Sequence, residues 1–153
     1  MPGRKLRLES SSPEEMTLIG LSSTMVDYQL IHYLNKELRA DFAKIPDLPF
    51  LITATKQLAV PIYHYYHTLT ENNWIVLSNR SSNNEFVLPQ YKNLDYFFFI
   101  DDLVDENETA KFIQKLRKVK DLSLAVNLDT TKINKIDLLY ADLEMHLTEV
   151  FKK

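Results

Sequence analysis

Three groups of residues in this chain have types and spacings that can do chemistry. The first is the acidic string Asp101, Asp102 and Asp105, a DDxxD pattern whose carboxylates can hold magnesium against a diphosphate when they lie on a helix facing a second acidic motif. Neither a second motif nor a large helical scaffold accompanies it. The simpler expectation is a set of acids at a helix start, where carboxylates meet free N–H groups. The second group is His64 and His67 in YHYYH. Three residues along a strand put side chains on opposite faces, so this pair cannot chelate one ion without a bulge. Tyr63, Tyr65 and His67 then share one face and Ile62, His64 and Tyr66 the other. That pattern reads as a half-exposed aromatic strand and, functionally, as a platform on which bases stack. The third group is basic. Lys111, Lys115 and Lys118 fall on one helical stripe, which is ordinarily a solvated face and, beside exposed aromatics, a contact for RNA.

Other chemistries find less support. Ser81 and Ser82 lie in a polar run without a neighbouring His, and His32 and His146 read as boundary residues of their helices. The chain has no Cys, which removes disulfides, thiolate nucleophiles and thiolate metal ligands together. Gly3 and Gly20 are the only glycines, so the glycine-lined phosphate cradles of P-loop and dinucleotide folds are excluded. No catalytic residue, metal site or cofactor is expected. The formal charge of −3 gives no whole-protein field toward nucleic acid or anionic lipid. No apolar run follows Arg4, Lys5 and Arg7 to make a secretory signal, and none approaches the ~20 residues that cross a bilayer. The expectation is a soluble, cytoplasmic protein without a membrane partner.

These groups must be positioned by one domain over residues 1–153, a length with 45% hydrophobic residues that can build its own core. Residues 1–14 read as an edge strand or flexible arm. Met16–Leu21 is apolar enough for a strand covered on both faces. Ser23 or Thr24 caps a helix over about 25–39 whose buried face is Val26, Leu30, Tyr33, Leu34 and Leu38, with Ile31 at its margin. Pro46, Pro49 and Pro61 place strand boundaries beside them, giving strands over 48–54 and 62–69, the second in a hairpin with Trp74–Leu77. Asn79–Asn84 is an exposed, mobile loop without apolar anchors. Tyr96–Ile100 is a buried strand. Asp105 and Glu108 open a helix over 106–118 as a capping box, with Phe112, Ile113, Leu116 and Val119 inward. Leu122–Leu128 returns to the sheet through a crossover, parallel to the preceding strand. A terminal helix spans 131–152.

The segment LPQYKNLDY, residues 88–96, resembles the signature of the IPExxxVDY family of uncharacterised bacterial proteins, with Gln90 where the name has Glu. Pro89, Asp95 and Tyr96 carry that pattern. Asp27, Tyr28 and Asn35, in DYQLIHYLNK, are similar to the family's first helix, and Trp74 with Leu77, Ser78 and Asn79 to its hairpin. The resemblance runs from about Met16 to Leu128 and implies no activity, cofactor or catalytic residue. Read on their own chemistry, Asp27, Tyr28, Asp95 and Tyr96 are polar anchors: the acids accept backbone N–H bonds, and the tyrosines bury their rings with the hydroxyls bonded.

The pattern of elements predicts an α+β fold, a mostly antiparallel sheet packed against two or three helices. One face is covered by the helices at 25–39 and 106–118, and the long C-terminal helix lies on that same layer or on a partner. An aromatic content of 11% exceeds the needs of an ordinary core of this size and points to contact surfaces. The leading functional expectation is a non-enzymatic interaction or structural module with protein partners, a homodimer being one form of it. An RNA-associated accessory protein using Lys111, Lys115, Lys118, Tyr63 and Tyr65, and a small enzyme with an acidic metal site, are the alternatives.

Overall fold

Six consecutive buried residues in a strand can only arise where both faces of a sheet are covered, and Tyr96–Asp101 is such a strand. A computed structural model describes residues 16–101 and 105–152 of the chain. Its elements are β1 (Met16–Ser23), α1 (Asp27–Leu38), β2 (Ala43–Leu51), β3 (Gln57–His67), β4 (Asn72–Ser78), β5 (Tyr96–Asp101), α2 (Glu106–Leu116), β6 (Leu122–Asn127) and α3 (Ile136–Val150). Short 3-10 turns lie at Pro89–Tyr91 and Thr130–Lys132. The expected arm at 1–14 and Asp102 of the acidic string fall outside the described residues.

The six strands form one sheet in the order β2-β3-β4-β5-β1-β6, every neighbouring pair antiparallel. The α+β architecture and the long last helix are as the sequence predicts. β5 and β6 run in the same direction, as expected of a crossover through α2, but β1 lies between them.

Alternation along β5 sorts its side chains into two cores. Phe98 and Ile100 face α1 and α2, meeting Leu30, Leu34, Ile113 and Leu116. Phe97 and Phe99 lie on the opposite face, in the core that also holds Phe50, Leu139, Leu143 and Leu147, and Phe99 meets Tyr140 of α3 with ring centroids 6.0 Å apart. All three phenylalanines are wholly buried, each contributing about 2–3 kcal/mol by removal from water. α3 therefore packs within the chain on the face opposite α1 and α2. This corrects the expectation that it shares their layer or crosses to a partner. A sheet whose central strands are apolar on both sides needs a second covering layer, and among the described helices α3 supplies it.

Several boundaries also differ. β2 runs through Pro46 and Pro49, and β3 through Pro61. The reason is placement. β2 is an edge strand, and its register with β3 shifts between Ile45 and Leu48, so Pro61 stands opposite a bulge and needs no ladder bond there. On its other side the pairing with β4 begins only at Ile62↔Leu77. α1 starts later than expected, with Val26 at the N-cap and no side-chain cap; the Ser23 hydroxyl instead accepts the Met25 N–H at 3.1 Å. Val26 is consequently exposed and Ile31 joins the core. Asp105 does cap α2, accepting from the N–H groups of Asn107 and Glu108.

Most of the aromatic supply is internal. Trp74 contacts Phe42, Tyr65, Phe98 and Phe112, and His67 stacks on it at 4.8 Å and 16°. Tyr28 is the one aromatic among the large, strongly exposed hydrophobic side chains. The aromatic content thus builds both cores rather than the expected contact surface.

Candidate functional site

The residues singled out by the signature and by the first helix converge. Asp95 ends the signature turn, and its Oδ2 accepts the Ser23 N–H at 2.9 Å where β1 ends. Tyr96, the first residue of β5, sends its hydroxyl to the Met25 carbonyl at 2.7 Å. Asp27, the first residue of α1, accepts the Tyr63 hydroxyl from β3 on Oδ2 at 3.1 Å and the Tyr28 N–H on Oδ1 at 2.8 Å. Ser23, Asp27, Ser78, Arg80, Asp95 and Tyr96 line a shallow depression of about 590 Å³ over this junction. Burial first, then the carboxylate of Asp27, pushes the Tyr63 phenol up to about 12. The same order of causes, with Asp95 added, raises Tyr96 well above the usual phenol range. Both tyrosines are therefore neutral hydroxyl donors at physiological pH. Together these groups fix the passage from β1 into α1 against β3 and β5.

Tyr28 does not follow its neighbours. Its ring is 68% exposed, which corrects the expectation that it is buried. Asn35 acts at the other end of α1, where its side chain forms a two-way bridge to Phe42, accepting from the backbone N–H at 2.8 Å and donating to the carbonyl at 3.3 Å. Pro89 is the first residue of a 3-10 turn, a position that needs no N–H.

The residue that organises the signature turn was not among those expected. Asn79, placed by sequence in an exposed loop, is 1% exposed. Its amide donates to the carbonyls of Tyr91 and Leu94, both at 2.9 Å, and its Oδ1 accepts the Leu88 N–H at 2.9 Å. Ser81 is buried as well, and the Ser82 N–H reaches the Ala59 carbonyl, so the run is anchored to the sheet rather than free of it. Leu94 then folds over Gly20 so closely that a Cβ there would collide with Leu94 Cδ1.

The acidic string and the histidines meet in a different way. Asp101 is buried, accepting the Asn73 N–H at 2.7 Å and the Asn73 amide at 3.0 Å. Because that amide must donate to a carboxylate, its oxygen faces His64, whose Nε2 lies 2.8 Å away and carries the proton. Asp105 is a helix cap. Asp101 and Asp105 therefore hold backbone and amide groups in two separate places. Among the described residues no group of three or more His, Asp or Glu side chains is disposed to hold a metal. His64 and His67 do occupy opposite faces, His64 against Phe151 and His67 on Trp74.

The expected stacking platform does not form. Tyr63 is 7% exposed with its hydroxyl held by Asp27, and Tyr65 packs against Phe42 and Trp74. Lys111 and Lys115 on α2 and Lys118 just past its end are exposed, as their stripe predicts. The remaining surface feature is the sheet's own ends. The β2 edge carries Pro46, Pro49, a bulge and the ion pair Lys44–Asp47, and the His146 ring donates to the Pro46 carbonyl at 2.6 Å. The β6 edge, LSLAVN, carries no proline and no charge.

Comparison with protein-family models, with curated proteins and with solved structures finds no match to this chain.

Proposed function

We propose that this chain is a non-enzymatic interaction module that self-associates, a cytoplasmic protein whose partners are proteins and in the first place its own copies. The β6 edge, which has no proline and no charged residue of its own, is the observation that carries this reading. Natural sheets blunt their edges with prolines, charges and bulges, since an unprotected strand templates pairing with another chain. β2 has all of these deterrents; β6 has a bulge at Ser123 and the Arg117 guanidinium on its Ala125 carbonyl, but no proline and no charged residue within the strand. The acids and tyrosines of the signature depression support the same reading, because their polar atoms are engaged in holding the backbone in register: Asp95 takes the Ser23 N–H, Tyr96 the Met25 carbonyl and Asp27 the Tyr63 hydroxyl. The gathering of the signature and first-helix residues at one junction supports membership of the IPExxxVDY family. No helix among the described residues is long and apolar enough to cross a membrane.

Light scattering across micromolar concentrations tests the proposal. The expected result is a mass that rises toward twice the 17.9 kDa of one chain. A strict monomer at every concentration would remove the homodimer.

A further inference from the structure

We propose that the outward face of α2 holds the phosphate backbone of a single nucleic-acid strand, a second binding activity that does not depend on self-association. Residues 111–120, KFIQKLRKVK, carry five cations and no acid in a chain whose formal charge is −3. The acids of this region, Asp105, Glu106 and Glu108, are confined to the cap and first turn of α2, so charge is segregated along the helix. Thr109, Ile113 and Leu116 turn into the core, which leaves Lys111 and Lys115 on the opposite face, and Lys118 continues their line just past the helix end. All three are exposed. The ion pairs among the described residues are made by Lys44, Lys56, Lys132 and Lys152, and none involves a lysine of this line. Lys120 extends it toward α1, its Nζ standing 5.3 Å from the centre of the Tyr33 ring.

The spacing fits a chain of phosphates. From Lys111 to Lys118 is about 10 Å at a helical rise of ~1.5 Å per residue, and one nucleic-acid strand presents a charge every ~3.4 Å of its axis. Three lysines thus meet about three phosphates. Other anionic partners fit less well. Protein interfaces are depleted in Lys and anchored by Trp, Tyr and Arg in pockets, and helices that lie on a membrane insert Trp, Phe or Leu. Beyond its acids and lysines α2 exposes Asn107, Ala110 and Gln114, none of them an apolar anchor. A lysine ammonium is a point charge without the fork that Arg sets against a base edge, so the contact reads charge and not sequence. The net negative charge of the chain does not prevent it, since at ~0.1 M salt exposed charges more than ~10 Å apart are largely screened. Glu108, one turn before Lys111, marks the end of the line.

Fluorescence anisotropy of the full chain with labelled oligouridylate and oligoadenylate tests this. With about three phosphates neutralised, the association constant should fall as roughly the second power of salt, about 20-fold between ~50 and ~200 mM, and equally for the two oligonucleotides. Replacing Lys111, Lys115 and Lys118 together by Gln should remove most of that salt dependence and weaken binding at least about tenfold at ~50 mM. The same charge change at Lys92, Lys132 and Lys152, all exposed and off α2, should weaken it by less than about threefold, since distant exposed charges are screened. Circular dichroism should be unchanged in both triple variants. No binding to either oligonucleotide at ~50 mM salt, or equal losses in the two triple variants, would overturn the site. Polyglutamate or phosphatidylserine vesicles bound as tightly as the oligonucleotides would also overturn it, and would assign the face to an acidic protein or to lipid.

Discussion

Asn79 is where the signature turn can be broken with one substitution. Asn79→Ala removes a side chain that satisfies three backbone groups, the Leu88 N–H and the carbonyls of Tyr91 and Leu94. The site is 1% exposed, so water replaces these bonds poorly. At about 1–1.5 kcal/mol for each orphaned group, the loss is about 3–5 kcal/mol. That is a large part of the ~5–15 kcal/mol that holds a domain of this kind together. With a urea m-value of about 2 kcal/mol/M, the unfolding midpoint falls by roughly 2 M at unchanged slope. Trp74, the only tryptophan and 8% exposed, reports the transition by fluorescence. Asn79→Asp separates the bonds, since it keeps an acceptor for Leu88 but turns carboxylate oxygens toward two carbonyls. It should be no more stable than Asn79→Ala. If both variants unfold within about 0.5 M of wild type, Asn79 does not organise the turn.

Two further outcomes follow from packing and from ionisation. Gly20→Ala should destabilise by about 1–3 kcal/mol because Leu94, itself buried, must shift to admit the new Cβ. Adding Leu94→Ala should then cost less than it does in wild type, and additive losses in a double-mutant cycle would refute the contact. The Tyr63 phenol lies at about 12 in the folded chain against an ordinary 10, and Tyr96 and Tyr140 are raised in the same direction, chiefly by burial. The unfolded chain therefore releases these protons first, so the stability they confer is complete below about pH 10 and falls between about pH 10 and 12. Ultraviolet titration should show at least three phenols ionising only as the chain unfolds, and Tyr63→Phe should remove one; full reversible ionisation without unfolding would contradict this.

What the sequence discloses depends on whether the signal is local. The three phenylalanines of β5 declare a strand covered on both sides, and Asp105 declares the start of α2, because apolar runs and caps act over a few residues. The layer occupied by α3 is not local: its stripe of Ile136, Leu139, Tyr140, Leu143 and Leu147 shows that one face is buried without saying against what. The prolines of β2 and β3 misled because their cost depends on strand order, and an edge or a bulge accepts what a central ladder refuses. Asn79 sits among Ser, Arg and Asn residues, the composition of a solvated loop. Only the return of Leu88–Leu94 over it turns that loop inward. The His64–Asn73–Asp101 chain joins three strands through residues whose separations follow no motif.

The order of elements along the chain bears on how the protein is made. α3 follows all six strands, yet it supplies Leu139, Tyr140, Leu143 and Leu147 to the core that holds Phe50, Phe97 and Phe99. At roughly 5–20 residues per second of synthesis, the sheet leaves the ribosome seconds before its cover, with a greasy floor open to chaperones and to other nascent chains. A message cut short before Ile136 would yield no smaller working version, but a sticky sheet destined for aggregation or proteolysis.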